Sequence, residues 1–172
     1  FMPAAGQRFA YLIERIKNGV ARLLAFLQDE QRQSLFHPVA FEQEIGFSDG
    51  AVPPLTLRTP DGRTVRVQGK IDRVDVMERD GKSYLRVIDY KTGTKTFSLD
   101  EVYCGLNTQM LLYLFTLCSN ASDVYKNPVA AGVLYLAGDP PPQDAGRAEA
   151  ARPPAYRMDG IVLDNAAVVR GM

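Results

Sequence analysis

The sequence predicts an α/β fold in which a mixed, largely antiparallel central sheet is flanked by helices. Three observations lead there. Apolar residues recur at three- and four-residue intervals over 8–30; alternating segments punctuated by Gly and Pro turns fill 39–91; and helical spacing returns over 98–118, followed by an apolar run over 129–136.

The first helix is written in Phe9, Leu12, Ile13, Ile16, Val20, Leu23, Leu24 and Leu27, which share one side of a 3.6-residue repeat. His37-Pro38 breaks that pattern, and 39–47 reads as a strand closing on Ser48-Asp49-Gly50. Segments 55–59 and 63–68 flank Pro60-Asp61-Gly62, and two longer strands flank Asp80-Gly81, so two hairpins are expected. Ser98 followed three residues later by Glu101 fits a capping box, which starts a short helix ending near Gly105. A second helix over 108–118 carries Met110, Leu111, Leu114 and Leu117. The run 129–136 suits an interior strand, 139–155 with its Pro140-Pro141-Pro142 predicts a flexible loop, and 156–163 predicts a last strand.

At 172 residues and 46% apolar composition, the chain is long enough to bury one ordinary core, so a single domain is expected over 1–172. It has no apolar run of the roughly 18 residues a membrane span needs, and no signal-peptide pattern. A soluble, cytoplasmic protein without a membrane partner is the expectation. Cys104 and Cys118 match no metal-ligand spacing and read as free thiols. Net charge is zero, which argues against nucleic-acid attraction by the molecule as a whole. Residues 58–95, however, hold ten Lys/Arg against six Asp/Glu, so a nucleic-acid surface is expected there if anywhere.

A two-residue turn at Asp80-Gly81 sets a register. Arg79 then faces Lys82, Val76 faces Leu85, Val74 faces Val87, and Asp72 faces Asp89. The two acids would end an apolar face, with Lys70 and Lys91 next along it. Like charges directly opposite are destabilising. A divalent cation offsets that cost, because carboxylates and waters make the hard oxygen shell that Mg²⁺ or Mn²⁺ prefers. Such an ion polarises a phosphoryl oxygen and acidifies a water, and Lys91 stands where it can position that water or stabilise phosphate charge. The plainer alternative is a surface salt bridge from Asp72 to Lys70, Arg73 or Lys91.

Gly69-Lys70-Ile71-Asp72-Arg73-Val74-Asp75, Val87-Ile88-Asp89-Tyr90-Lys91-Thr92-Gly93 and Gln109-Met110-Leu111-Leu112-Tyr113 together resemble the RecB-type branch of the PD-(D/E)xK nucleases. Within it, the likeness is strongest to the B-subunit group of AddAB-type helicase-nucleases, and it extends through Val39-Ala40-Phe41-Glu42, the segment from Glu101 to Leu106, and Ala131 to Tyr135. The resemblance implies a restriction-endonuclease-like core and a Mg²⁺-dependent deoxyribonuclease of exonuclease type. Asp72, Asp89 and the Tyr90 carbonyl would bind metal, with Asp72, Asp89 and Lys91 catalytic. It implies DNA contacts from Gln109 and Tyr113, which four-residue spacing puts on one helical face. It also implies an ATP-driven A-type partner in a heterodimer and a role in double-strand-break repair by recombination.

Two family features are not matched. The usual upstream His ligand in a Gly-x-x-x-His helix has no counterpart, since His37 precedes Pro38 in a loop signal. The four cysteines that hold an iron-sulfur cluster in many members of the B-type group, one upstream and three downstream, are not Cys104 and Cys118. The expectation is therefore a fragment of a larger polypeptide, inactive alone, whose cluster belongs to the full-length protein. Glu42 and Glu44 are further candidates to approach the metal, with at least one expected to be ordinary surface. No Walker-type phosphate loop is present. The rival reading is a noncatalytic DNA-binding or partner-docking domain that keeps the nuclease fold.

Overall fold

The computed structural model describes residues 5–47, 52–93, 96–138 and 156–172; the loop expected over 139–155 lies outside the described residues. The elements run α1 (Ala5–Gln33), β1 (His37–Ile45), β2 (Leu55–Arg58), β3 (Thr64–Val67), β4 (Gly69–Arg79), β5 (Lys82–Lys91), α2 (Leu99–Tyr103), α3 (Gln109–Asn120), β6 (Val129–Ala137), β7 (Met158–Val162) and α4 (Ala166–Gly171). Among these residues the main sheet has the order β1-β4-β5-β6-β7, and β2-β3 forms a separate hairpin. Only the β5–β6 pairing is parallel in the main sheet. Pro38 is tolerated because β1 is an edge strand, where a missing ladder donor costs little.

Alternation of side chains across β4 and β5 divides the molecule into two layers. On one face Val74, Val76, Leu85 and Val87 pack against Met110, Leu114 and Leu117 of α3. The Ser98 hydroxyl accepts the Glu101 N–H, the predicted cap of α2, and the chain then turns through Gly105 into α3. On the other face Ile88, Leu134 and Leu136 meet Leu23, Phe26 and Leu27 of α1, while Val168 of α4 covers Phe36 and Met77. The short helix α4 has too few residues to show a period; its sequence signal is Asn165, an N-cap whose side chain accepts the Ala167 N–H at 2.8 Å.

The expectation that the whole first helix packs on the sheet is corrected. Phe9, Leu12, Ile16 and Val20 are exposed, and contact begins only in the second half. The 29 residues of α1 span roughly 44 Å, and the apolar patch it covers, Ile88, Leu134 and Leu136, meets only Leu23, Phe26 and Leu27 of the helix.

The two thiols differ in the way this packing demands. Cys104 is exposed, whereas burial of Cys118, which packs from α3 onto the core, pushes its thiol up from 9.0 to about 11. Folding therefore favours the neutral thiol; the stability this contributes is complete below pH 9 and is lost as the pH rises toward about 11. At pH 8 Ellman's reagent is expected to titrate Cys104 rapidly and Cys118 only after denaturant is added. Rapid reaction of both in the folded protein would contradict this packing.

Candidate active site

The β4–β5 hairpin closes on Asp80 and Gly81, both with positive φ (52° and 72°), the two-residue turn that matches strand twist. Arg79 pairs with Lys82, Val76 with Leu85, Val74 with Val87 and Arg73 with Ile88, which is the register read from the sequence. Regular pairing stops there, one step short of Asp72 and Asp89. Beyond it the Asp72 carboxylate takes the place of a backbone acceptor: the Tyr90 N–H donates to Asp72 Oδ2 at 2.9 Å. Asp72 is thus tied to the residue that follows Asp89.

The ladder on the other side of Asp72 is also irregular. Phe41–Arg73 and Gln43–Ile71 pairs bracket Glu42, which stands across from Asp72 with φ of +52°. An exposed Glu in the left-handed region of a strand is costly, and such backbone outliers concentrate near functional sites. The Glu42 carboxylate receives the Lys70 ammonium at 2.9 Å, and that pairing raises the Lys70 pKa. Lys70 therefore does not continue the apolar face as expected; Ile71 joins the α3-facing core beside Val74. Glu44 lies opposite Lys70 in the register. His37 pairs with Val76, toward the other end of β4 from Asp72.

Asp89 and Lys91 line an open cleft of about 240 Å³ with Asn107, Thr108, Gln109, Met110 and Tyr135. The Lys91 ammonium is ion-paired with Asp89 Oδ2 and lies 5.7 Å from the centre of the Tyr135 ring. Tyr135 sits beside Asp89 across β5 and β6. Burial, and secondarily the Asp89 charge, push its hydroxyl up from 10.0. Asp89 Oδ2 is buried and makes no hydrogen bond, and its charge is met by the Lys91 ammonium.

Gln109 and Tyr113 are brought together at the start of α3, but differently from the sequence reading. Gln109 is exposed and its Nε2 donates to the Tyr113 hydroxyl at 2.9 Å. Tyr113 is buried, 6% exposed, and so its ring is not available to stack on a base in this conformation. Its hydroxyl lies against Gly69, where an added Cβ would come within 1.9 Å of that oxygen. Gly69 and Tyr113, the first and last residues of separate motifs, are thus one packing contact. Gly69→Ala is expected to destabilise the fold by about 1–3 kcal/mol, as overpacking does. Gly69→Ala should cost less in a Tyr113→Ala background than in the unaltered protein, and urea denaturation of the four proteins measures the coupling; simple additivity would refute the contact.

On the opposite face the sequence reading missed a buried ion cluster. Arg73 forks onto Asp75 at 2.6 and 2.7 Å, and Arg86 Nε reaches Asp75 Oδ2 at 2.9 Å. Arg86 also pairs with Glu30 of α1. Arg73, Asp75 and Arg86 are each no more than 1% exposed. The signal was present, because the same hairpin register places Asp75 opposite Arg86.

Among the described residues no group of three or more His, Cys, Asp or Glu side chains converges on a metal position. The candidate donors are the carboxylates of Asp72 and Asp89. That pair still fits a small hard cation, since Mg²⁺ commonly takes one or two carboxylates and fills its shell with waters and substrate phosphate. Asp89 Oδ2, buried without a hydrogen bond and held by the Lys91 ammonium, is an oxygen of the right kind for such an ion once Lys91 turns toward the substrate phosphate.

The model of the PD-(D/E)XK nuclease superfamily matches residues 2–168. The chain is 36% identical, over 98% of its length, to the B subunit of an ATP-dependent helicase/deoxyribonuclease of Acetivibrio thermocellus. It is 37% identical over 78% of its length to the protein of that name from Clostridium acetobutylicum, and 32% identical over 98% to that of Clostridioides difficile. It spans 15%, 12% and 15% of those three polypeptides. With its fold, its paired motifs and a family match across nearly its full length in agreement, this chain belongs to the PD-(D/E)XK nuclease superfamily.

Proposed function

We propose that the chain is the Mg²⁺-dependent, exonuclease-type DNA-cleaving domain of a longer helicase-nuclease polypeptide of the B type. That polypeptide acts with an A-type partner as a heterodimer, in the cytoplasm, in double-strand-break repair by recombination. The observation that carries the reading is the meeting of three groups at the ends of β4 and β5: Asp72 tied to the Tyr90 amide, Asp89 with an oxygen lacking a hydrogen bond, and Lys91 against Asp89. Asp72, Asp89 and the Tyr90 carbonyl would hold Mg²⁺, with Mn²⁺ as substitute. Bound there, the ion supplies charge to polarise a phosphoryl oxygen and to acidify the attacking water.

The protein's own residues do the rest. Asp72 and Asp89 bring their oxygens from two neighbouring strands, with Asp72 held in place by the Tyr90 N–H. When phosphate enters the cleft, Lys91 exchanges part of its pairing with Asp89 for the developing charge on the phosphate. Gln109, exposed at the cleft, contacts the DNA strand, and Tyr113 holds Gln109 from below. An iron-sulfur cluster, if the full-length protein has one, draws its cysteines from outside this chain.

Calorimetric titration with Mn²⁺ tests the metal site. A single binding event is expected, lost in Asp72→Asn/Asp89→Asn; binding indifferent to both residues would sink the assignment. A second reading, a noncatalytic DNA-binding or partner-docking domain, is favoured by the two-carboxylate donor set among the described residues. Cleavage of single-stranded DNA with Mn²⁺ decides between them.

A further inference from the structure

The basic surface expected over 58–95 is largely consumed by pairing. Arg73 and Arg86 are buried in the ion cluster, Arg63 is paired with Asp61, Lys70 with Glu42, Arg79 with Asp80, and Lys91 with Asp89. Arg58, Arg66 and Lys82 of that stretch make no ion pair with a described residue but are spread over β2, β3 and β5, whereas α1 carries a regular row of such cations. Arg8, Arg15 and Arg22 recur every seven residues, which places them roughly 10 Å apart and within about 40° of one another around the helix. Other charges of α1 are matched, Lys17 with Glu14 and Arg32 with Asp29, but these three arginines make no ion pair with a described residue.

Their position connects them to the candidate site. Arg15 and Arg22 line a groove of about 510 Å³ between α1 and the ends of β5 and β6, where Thr92 and Gly138 form its other wall. Thr92 directly follows Lys91, and the Gly138 N–H donates to the Lys91 carbonyl at 2.7 Å. The groove on the α1 side and the cleft on the α3 side therefore meet at the same strand ends. The groove also carries apolar Leu12, Ile16 and Val20 beside the arginines. A charged rail beside an apolar strip is the surface that suits a single strand, whose phosphates take the cations and whose bases lie on the apolar surface.

We infer that α1 is a phosphate track: Arg15 and Arg22, extended by Arg8, seat the backbone of single-stranded DNA on its way to the cleft. The inference rests on the nuclease reading for the strand's destination. Charge complementarity favours nucleic acid, since the stripe is cationic and unmatched; an acidic segment of a partner protein is the competing occupant.

The test uses the full-length polypeptide with its A-type partner and a short single-stranded oligothymidylate. Arg15→Gln/Arg22→Gln is expected to raise KM for cleavage about tenfold while kcat stays within about twofold. The slope of log KM against log salt should flatten by about 1.4, two phosphate contacts at about 0.7 each. Arg15→Lys/Arg22→Lys should restore most of the lost affinity, and Lys17→Gln should behave as the unaltered complex. Unchanged KM and salt slope in the Gln pair would overturn the track, as would loss of partner association with KM unaffected. If the unaltered complex cleaves nothing, the nuclease reading fails separately; equilibrium binding of the same oligonucleotide in EDTA then decides the track by the same comparison.

Discussion

Asp75→Ala is expected to lower unfolding stability by about 3–5 kcal/mol, the cost of breaking a buried pair by removing one partner. The magnitude follows from what would be left behind. Arg73 and Arg86 are each about 1% exposed, and both direct guanidinium donors at Asp75, which is 0% exposed. Without that carboxylate, two guanidinium groups share Glu30, whose Oε2 makes no hydrogen bond and lies 3.8 Å from Arg73. Asp75→Asn should cost less, because the amide oxygen still accepts. Urea denaturation of both variants measures the difference; a loss under about 1 kcal/mol for Asp75→Ala would mean that the cluster is hydrated and screened like a surface pair. The consequence reaches α1. Glu30 is the helix's ionic tie to the sheet, so loosening the cluster should also weaken the seating of the helix that carries Arg15 and Arg22.

The same cluster shows what was legible in the sequence and what was not. The hairpin register was readable because Asp80-Gly81 is among the few dipeptides that accept two positive φ values, and because Val74, Val76, Leu85 and Val87 permit only one facing. The cap at Ser98 was readable because it depends on two residues three apart. Asp72 and Asp89 were placed to within one step of their partnership. The final step was not readable, since it depends on a carboxylate displacing a backbone acceptor at Tyr90 and on the left-handed Glu42 across the strand. No local rule assigns positive φ to a Glu in a strand. Charge was the poorest guide. The excess of Lys and Arg over 58–95 read as surface, yet Arg73 on β4 and Arg86 on the neighbouring β5 turn inward on the same face, and there they can stay only if paired, here with Asp75. The exposure of α1 was illegible for a related reason: periodicity marks an apolar face but carries no information about how far the sheet beneath it extends.

Asp89→Asn is expected to lower cleavage by roughly a thousandfold or more, several kcal/mol of transition-state stabilisation at about 1.4 kcal/mol per decade. It should abolish the Mn²⁺ event and leave metal-free stability within about 1 kcal/mol. From sequence alone, direct repulsion between Asp72 and Asp89 suggested that neutralising Asp89 would preserve or raise stability. The structure reduces the repulsion to be relieved, because Asp72 already accepts the Tyr90 amide and Asp89 already faces Lys91. Losing the ion pair costs little in turn, since the Lys91 side chain is one-third exposed and such a pair contributes no more than about 1 kcal/mol. The two small terms oppose each other. Lys91→Ala separates binding from chemistry: Mn²⁺ affinity should hold while cleavage is lost. A drop in metal-free stability above about 2 kcal/mol for Asp89→Asn would make Asp89 a structural residue, and retained Mn²⁺ binding in that variant would move the metal away from the ends of β4 and β5.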